Sequence, residues 1–240
     1  MAENALFIQQ REDGYANKTM DDIRLRSGAS NGSIYHHFKS KEQLAAAVYL
    51  EGQTTYTDVL AGEGYVCGMS GKWHLGSVPG YFPTDQGFDE YLGLPYSNDM
   101  IPPWVDTDRP LHLYRGTTPT DEQPVDQSTL TRRYTEEAVR FIRASKDGPF
   151  FVYLPHSMPH LPISASPEFS GESQGGRYAD VVEELDWSVG RILDVLREEG
   201  LDERTLVVFT SDNGPWRNMP PRMYETEPVE RWDAGTTGAL

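Results

Sequence analysis

One cysteine, Cys67, is all this chain contains, so no internal disulfide forms and no cysteine-rich metal site can be built. Long apolar runs are also missing. None approaches the roughly 20 residues that cross a bilayer. The opening Met1-Ala-Glu-Asn4 has neither a basic n-region nor an apolar h-region, so no secretion signal is read there. A cytoplasmic location without a membrane partner is the expectation. Basic residues are scarce as well: 21 Lys and Arg face 37 Asp and Glu, for a net charge of −16. The deficit is uneven. Residues 1–58 hold six basic and eight acidic residues, a balance of −2, and residues 59–240 carry the other −14. A basic cluster at Lys18, Arg24, Arg26, Lys39 and Lys41 stands against only Asp21 and Asp22 within 18–41, which points to a polyanion or to a solvated helix face.

What is there suffices for one large domain or two small ones. The 240 residues are 38% hydrophobic, with 17 Pro and 22 Gly, which suits a loop-rich domain. No repeat or low-complexity tract interrupts them. The texture changes near residue 60. Before it, short helices are predicted at 19–26, 31–37 and 41–52. After it, strands at 65–70, 150–154 and 205–210 alternate with helices at 128–145 and 177–199, the pattern of βαβ units around a parallel sheet. The run Thr205-Leu-Val-Val-Phe-Thr210 reads as a strand covered on both faces. The second long helix places Tyr178, Val181, Val182, Leu185, Val189, Ile192, Leu193 and Leu196 on one face and ends at Gly200. Residues 95–125 and 214–240 read as long loops.

In the first segment, Thr19 can cap a helix whose third residue is Asp22, Ser27-Gly28 can turn, Ser30 can cap a second helix, and Ser40 with Gln43 can open a third. Two short helices around a Gly-containing turn make a helix-turn-helix, whose second helix would enter a major groove. The string from Thr19 to Leu44, Thr-Met-Asp-Asp-Ile-Arg-Leu-Arg-Ser-Gly-Ala-Ser-Asn-Gly-Ser-Ile-Tyr-His-His-Phe-Lys-Ser-Lys-Glu-Gln-Leu, resembles the DNA-binding segment of TetR-type regulators. That resemblance implies that Ser30, Asn31, Ser33, Tyr35 and His36 face duplex DNA and that Lys39 and Lys41 meet phosphates. Departures are a first helix reduced to Ala5–Ile8 and no large helical ligand-binding domain. Without a dimer there is no second half-site, so only weak binding is expected. His36-His37 is not a metal pair, because adjacent helical positions point apart.

In the second segment each predicted strand ends in a polar cluster: Gly71-Lys-Trp-His-Leu-Gly76, Pro155-His-Ser-Met-Pro-His160 and Ser211-Asp-Asn-Gly214. Ligands of open α/β sheets sit outside the carboxyl ends of the strands. These ends would bring Lys72, His74, His160, Asp212 and Asn213 together. A Lys and a His can hold an oxyanion, a second His can protonate a leaving oxygen, and Asp-Asn offers hard oxygens to Ca²⁺ or Mg²⁺. Each cluster alone reads equally as a solvated loop or turn.

The strings Gly64-Tyr-Val-Cys-Gly-Met-Ser-Gly-Lys-Trp-His-Leu-Gly76, Gly87-Phe-Asp-Glu-Tyr-Leu-Gly-Leu-Pro-Tyr-Ser-Asn-Asp99, Pro149-Phe-Phe-Val-Tyr-Leu-Pro-His-Ser-Met-Pro-His160 and Phe209-Thr-Ser-Asp-Asn-Gly-Pro215 closely resemble arylsulfatases over about 60–216. The resemblance implies an α/β fold: a partial alkaline-phosphatase-like parallel sheet with flanking helices, here preceded by a short all-α helix-turn-helix module. The domain division expected is 1–58 and 59–240. It further implies hydrolysis of a sulfate ester on a small molecule or glycan. Lys72 and His74 would contact the sulfate, His160 the sulfate and leaving oxygen, Ser97 would support the substrate, and Asp212 and Asn213 would bind Ca²⁺.

Type I sulfatases also use a formylglycine nucleophile made in the motif Cys or Ser, x, Pro or Ala, x, Arg. Cys67 is followed by Gly-Met-Ser-Gly and sits in a predicted strand, so it reads as a buried small hydrophobe. Ser77-Val-Pro-Gly-Tyr81 ends in Tyr and lies on the wrong side of the Lys-Trp-His segment. Formylglycine is therefore expected at neither, and the family's first acidic metal pair is not found either. Asp233–Leu240 resembles the approach to an Arg-Gly-Lys segment of the family. Ca²⁺ takes about 6–8 oxygens and Asp212-Asn213 offers few, so weak metal binding and no meaningful turnover are expected. A sheet without its first strand would carry an open edge. The alternatives are a TetR-type regulator fragment and a chimera without integrated function.

Overall fold

The computed structural model describes residues 19–27, 30, 40–102, 104–120 and 124–214. It divides into two compact units, Met1–Val59 and Leu60–Leu240. In the first, helix α1 spans Met20–Ser27 and helix α2 begins at Lys41 and runs on to Gly62, ten residues past the predicted end. Thr19 and Asp22 form a reciprocal cap: the Thr19 amide donates to the Asp22 carboxylate at 2.8 Å, and the Asp22 amide donates to the Thr19 hydroxyl at 3.2 Å. Ser40 caps α2 by accepting from the Gln43 amide. The helix predicted at 31–37 lies outside the described residues.

The second unit is a five-stranded sheet in the order β4-β3-β2-β1-β5, with β1 at Val66–Lys72, β2 at Glu90–Leu94, β3 at Tyr114–Arg115, β4 at Thr118–Pro119 and β5 at Phe150–Tyr153. β1 pairs in parallel with both β2 and β5, whereas β2, β3 and β4 are antiparallel, so the sheet is mixed rather than wholly parallel. β2 and the β3–β4 hairpin were not anticipated. In β2 the apolar run is short and broken by Gly93, and each hairpin strand is two residues long, below what periodicity detects.

Helix α3 (Leu130–Ser145) covers β1. Its buried Leu130 and Tyr134 join Leu92, Leu94, Leu111, Leu113 and Val125 in one core, while Val139 and Ile142 meet Val195, Leu196 and Leu201 in another. Gly68 is required here: a Cβ on it would lie 2.6 Å from the Phe141 ring. Helix α4 (Gly176–Glu198) packs on α3 and buries Val181 and Leu196 of the expected apolar face, but a polar stripe is buried beside them. Val182 is exposed, and Asp180, Glu184 and Ser188, spaced by four, are buried instead. Each holds something. Asp180 accepts from the amides of Gly171 and Ser173, Glu184 accepts from the Ser166 amide, and Ser188 meets Thr135 and His156. The stripe thus ties down the loop following β5 by satisfying backbone donors that would otherwise be buried unpaired.

One predicted strand is corrected. Residues 205–210 join no ladder, and Leu206 and Phe209 are 87% and 76% exposed. A β-branched run supplies propensity, but a strand needs a partner with matching backbone groups, and β5 pairs only with β1 among the described residues.

Candidate anion site at the strand ends

β1 ends at Lys72 because its last backbone groups are held from both sides. The Lys72 amide donates to the Pro155 carbonyl and the Trp73 amide to the Leu94 carbonyl, both at 2.8 Å. Trp73 is buried, its indole N–H donating to the Tyr81 carbonyl at 2.7 Å, and its ring meets Phe88 edge-on. Phe88 stacks in turn on Phe151 and Tyr153 of β5. This aromatic layer fixes the turn between Lys72 and His74. His74 itself has φ 59°, the sole positive φ of a non-glycine among the described residues, a backbone cost that side chains at sites commonly carry.

The structure brings Lys72, His74 and His160 together with two carboxylates. Burial lowers the Lys72 pKa, and the fields of Asp212 and Asp99 oppose that shift. Burial also lowers the His74 pKa, assisted by the positive charge of Lys72 and by His160 and opposed by Asp99. His74 nonetheless keeps one face in solvent. Three nitrogen groups, with Lys72 and His160 both acting on His74, at the carboxyl ends of neighbouring strands can hold a multivalent oxyanion. His160 is the outermost: its Nδ1 lies 2.7 Å from the Leu161 carbonyl oxygen. A carbonyl only accepts, so Nδ1 carries the proton and Nε2 is the ring atom left for a ligand.

Ser97 is buried with its hydroxyl unpartnered, placed just beyond the end of β2. Asn213 is exposed and its amide donates to the Gly214 carbonyl, so it is not gathered with Lys72 as Asp212 is. Among the described residues, no group of three His, Cys, Asp or Glu could hold a metal ion. Asp212 with Asn213 falls well short of the roughly 6–8 oxygens of a Ca²⁺ shell, so the described residues do not fit the ion. Cys67 is buried in β1 and desolvation raises its thiol pKa, which removes it as a thiolate nucleophile. Of the residues proposed for DNA contact, Ser30 is exposed, Lys41 opens α2, and Asn31, Ser33, Tyr35, His36 and Lys39 lie outside the described residues.

Sequence reasoning passed over Asp99, Asn98 and Gln127. The first two follow Ser97 directly beyond a strand end, a position that could have been read as the other polar clusters were. Gln127 is 29 residues from Asn98 and only the fold joins them.

The sulfatase family model matches residues 25–236. The chain belongs to the sulfatase family. The match extends beyond the 60–216 read from the motifs at both ends. Mouse (Mus musculus) arylsulfatase G is 38% identical over 218 residues, covering 80% of this chain and 40% of its own length. Human (Homo sapiens) N-acetylgalactosamine-6-sulfatase is 40% identical over 167 residues, covering 65% and 32%. This sulfatase chain therefore spans about a third to two-fifths of the length of these relatives. In the crystal structure of the PsFucS1 sulfatase from Pseudoalteromonas sp., 39% of that chain superposes on 69% of this one with a TM-score of 0.59 and 26% identity. The mixed sheet with flanking helices is thus the α/β, alkaline-phosphatase-like architecture of sulfatases.

Proposed function

We propose that this chain carries the oxyanion-holding part of a sulfate-ester hydrolase site, acting on a monosulfate of a small molecule or glycan. The observation that carries this is the convergence of Lys72, His74 and His160 within one electrostatic neighbourhood at the strand ends. The names of the relatives, an arylsulfatase and an N-acetylgalactosamine-6-sulfatase, support the ester class. Lys72 and a ring N–H of His74 hold sulfate oxygens, and Asp99 and Asp212 favour the charged lysine against its burial. His160, with its proton on Nδ1, presents Nε2 to the leaving oxygen. The Ser97 hydroxyl is fully buried, so Ser97 supports the site from within the fold and does not touch the ester. These groups position and neutralise charge, the interactions that grow as an ester bond breaks.

The 240 residues contain no Cys or Ser followed by x, Pro or Ala, x and Arg. Binding without turnover is therefore the expected behaviour. Inorganic sulfate titrated into the purified chain should shift the resonances of His74 and His160, and Lys72→Ala should weaken that binding by about 10-fold or more, the scale of one charge-assisted contact. p-Nitrophenyl sulfate with added Ca²⁺ should be hydrolysed at the background rate. Sulfate binding that ignores Lys72 would remove the site; measurable turnover would show a nucleophile that this reading lacks.

A second reading applies to residues 1–59 alone. They form their own compact unit, with α1 and α2 capped at Thr19 and Ser40 as the capping pattern of the sequence offers. Salt-sensitive binding of a short duplex by the full chain, lost on Lys41→Glu, would support a DNA-reading role; binding unaffected by salt would end it.

A further inference from the structure

His160 is the site residue whose aim depends most on backbone it does not share with a strand. It sits in the loop after β5, exposed, with its main-chain amide on the Ser157 carbonyl. What holds that loop from the other side is Asn98. Its side chain is fully buried, and its Nδ2 lies 3.3 Å from the His160 carbonyl oxygen and 3.2 Å from the Leu161 carbonyl oxygen. The Leu161 oxygen is the same atom that accepts the proton of His160 Nδ1. Asn98 is in turn locked by Gln127, on the short 3₁₀ turn that leads into α3. The Gln127 Nε2 donates to the Asn98 carbonyl at 3.0 Å, and the Gln127 Oε1 faces Asn98 Nδ2 at 3.3 Å. The amide can point only one way. Turned over, its oxygen would face two carbonyls and the Gln127 oxygen, with no hydrogen between any of them.

We propose that Asn98, locked by Gln127, is a positioning residue that sets the tautomer and direction of His160 by fixing the Leu161 carbonyl. This rests on the reading of His160 as a site residue, but its consequence can be seen without any ligand. With the carbonyl fixed, the proton stays on Nδ1 and Nε2 is presented outward. Without Asn98, the carbonyl is free to turn to water and the ring loses its reason to prefer that tautomer, which in a free histidine side chain is the minor one.

The test is long-range ¹H–¹⁵N correlation of the histidine rings in the ¹⁵N-labelled full chain, with His160 assigned by His160→Gln. Wild type is expected to show the Nδ1–H form at His160. Asn98→Ala should convert most of that signal to the Nε2–H form, and Gln127→Ala should convert part of it. Asn98→Ser, which keeps one donor, should restore some of the Nδ1–H form. A His160 that keeps its wild-type tautomer in Asn98→Ala and Gln127→Ala would overturn the assignment, as would a wild-type ring already in the Nε2–H form. Should Asn98→Ala fail to fold, Gln127→Ala alone decides, because its side chain touches the clamp and not the loop. A wild-type chain that shows the tautomer response but no sulfate response would fail the functional reading alone and leave this one standing.

Discussion

Gly93→Ala is expected to cost about 3 kcal/mol or more, enough to leave much of the chain unfolded at 37 °C given the usual margin of about 5–15 kcal/mol. A Cβ on Gly93 would lie 1.7 Å from the Gly71 carbonyl oxygen on the neighbouring strand, with which it is in register. The oxygen belongs to backbone and the Cβ is fixed by it, so neither can rotate away, and relief requires opening the β1–β2 ladder. Gly71 is as restricted. It has φ 141°, and its own Cβ would stand 2.1 Å from the Pro155 oxygen that anchors the Lys72 amide. Glycine at these two places lets the end of β1 press between β2 and the loop after β5, which is what delivers Lys72 to the site. Urea unfolding followed by circular dichroism would measure the loss. Gly190→Ala is the control: nothing lies within 4 Å of its Cβ in the middle of α4, and it should raise stability by roughly 0.5–1 kcal/mol. Equal midpoints for Gly93→Ala and wild type would mean that the two strands do not meet as described.

Acid should weaken the fold through His156, among other groups. Burial alone pushes its pKa down from 6.5 to about 4. Its Nε2 meets the Ser188 hydroxyl at 3.0 Å, Ser188 meets Thr135 at 2.6 Å, and Nδ1 is buried without a partner. The folded chain therefore keeps the ring neutral where the unfolded chain protonates it. Above pH 6.5 both forms are neutral and no penalty applies. As pH falls from 6.5 to about 4 the unfolded state binds a proton that the folded state refuses, so stability declines by about 3 kcal/mol and then levels off. Glu184 works in the opposite direction, since desolvation raises its pKa, so the total pH profile is a sum. Comparison with His156→Gln isolates the histidine. The variant should be less stable at pH 7.5, having lost a neutral hydrogen bond, and should show a shallower decline between pH 6.5 and 4. Parallel profiles for the two chains would show that His156 does not stay neutral on folding.

Periodicity located α3, α4, β1 and β5 nearly to the residue, because their apolar residues recur at helical spacing or in short unbroken runs. It failed where tertiary context decides. The stripe Asp180, Glu184 and Ser188 looks solvent-facing by composition, yet it is buried because a loop supplies the amides that satisfy it. The run at 205–210 looks like a core strand, yet it stays exposed for want of a neighbour.

The amino-acid sequence by itself determined the family, through motifs at strand ends, and named Lys72, His74, His160 and Asp212, because side-chain chemistry is written directly in residue types. It also determined the absence of a nucleophile motif in these 240 residues. Only the tertiary structure decided that Lys72 feels both Asp212 and Asp99 while His74 feels Asp99, that Asn213 faces its own loop, and that Asn98 and Gln127 hold the backbone beneath His160. Those relations depend on backbone groups brought close by parallel pairing and helix packing. A carbonyl has the same identity at every position, so no sequence pattern marks the one that matters.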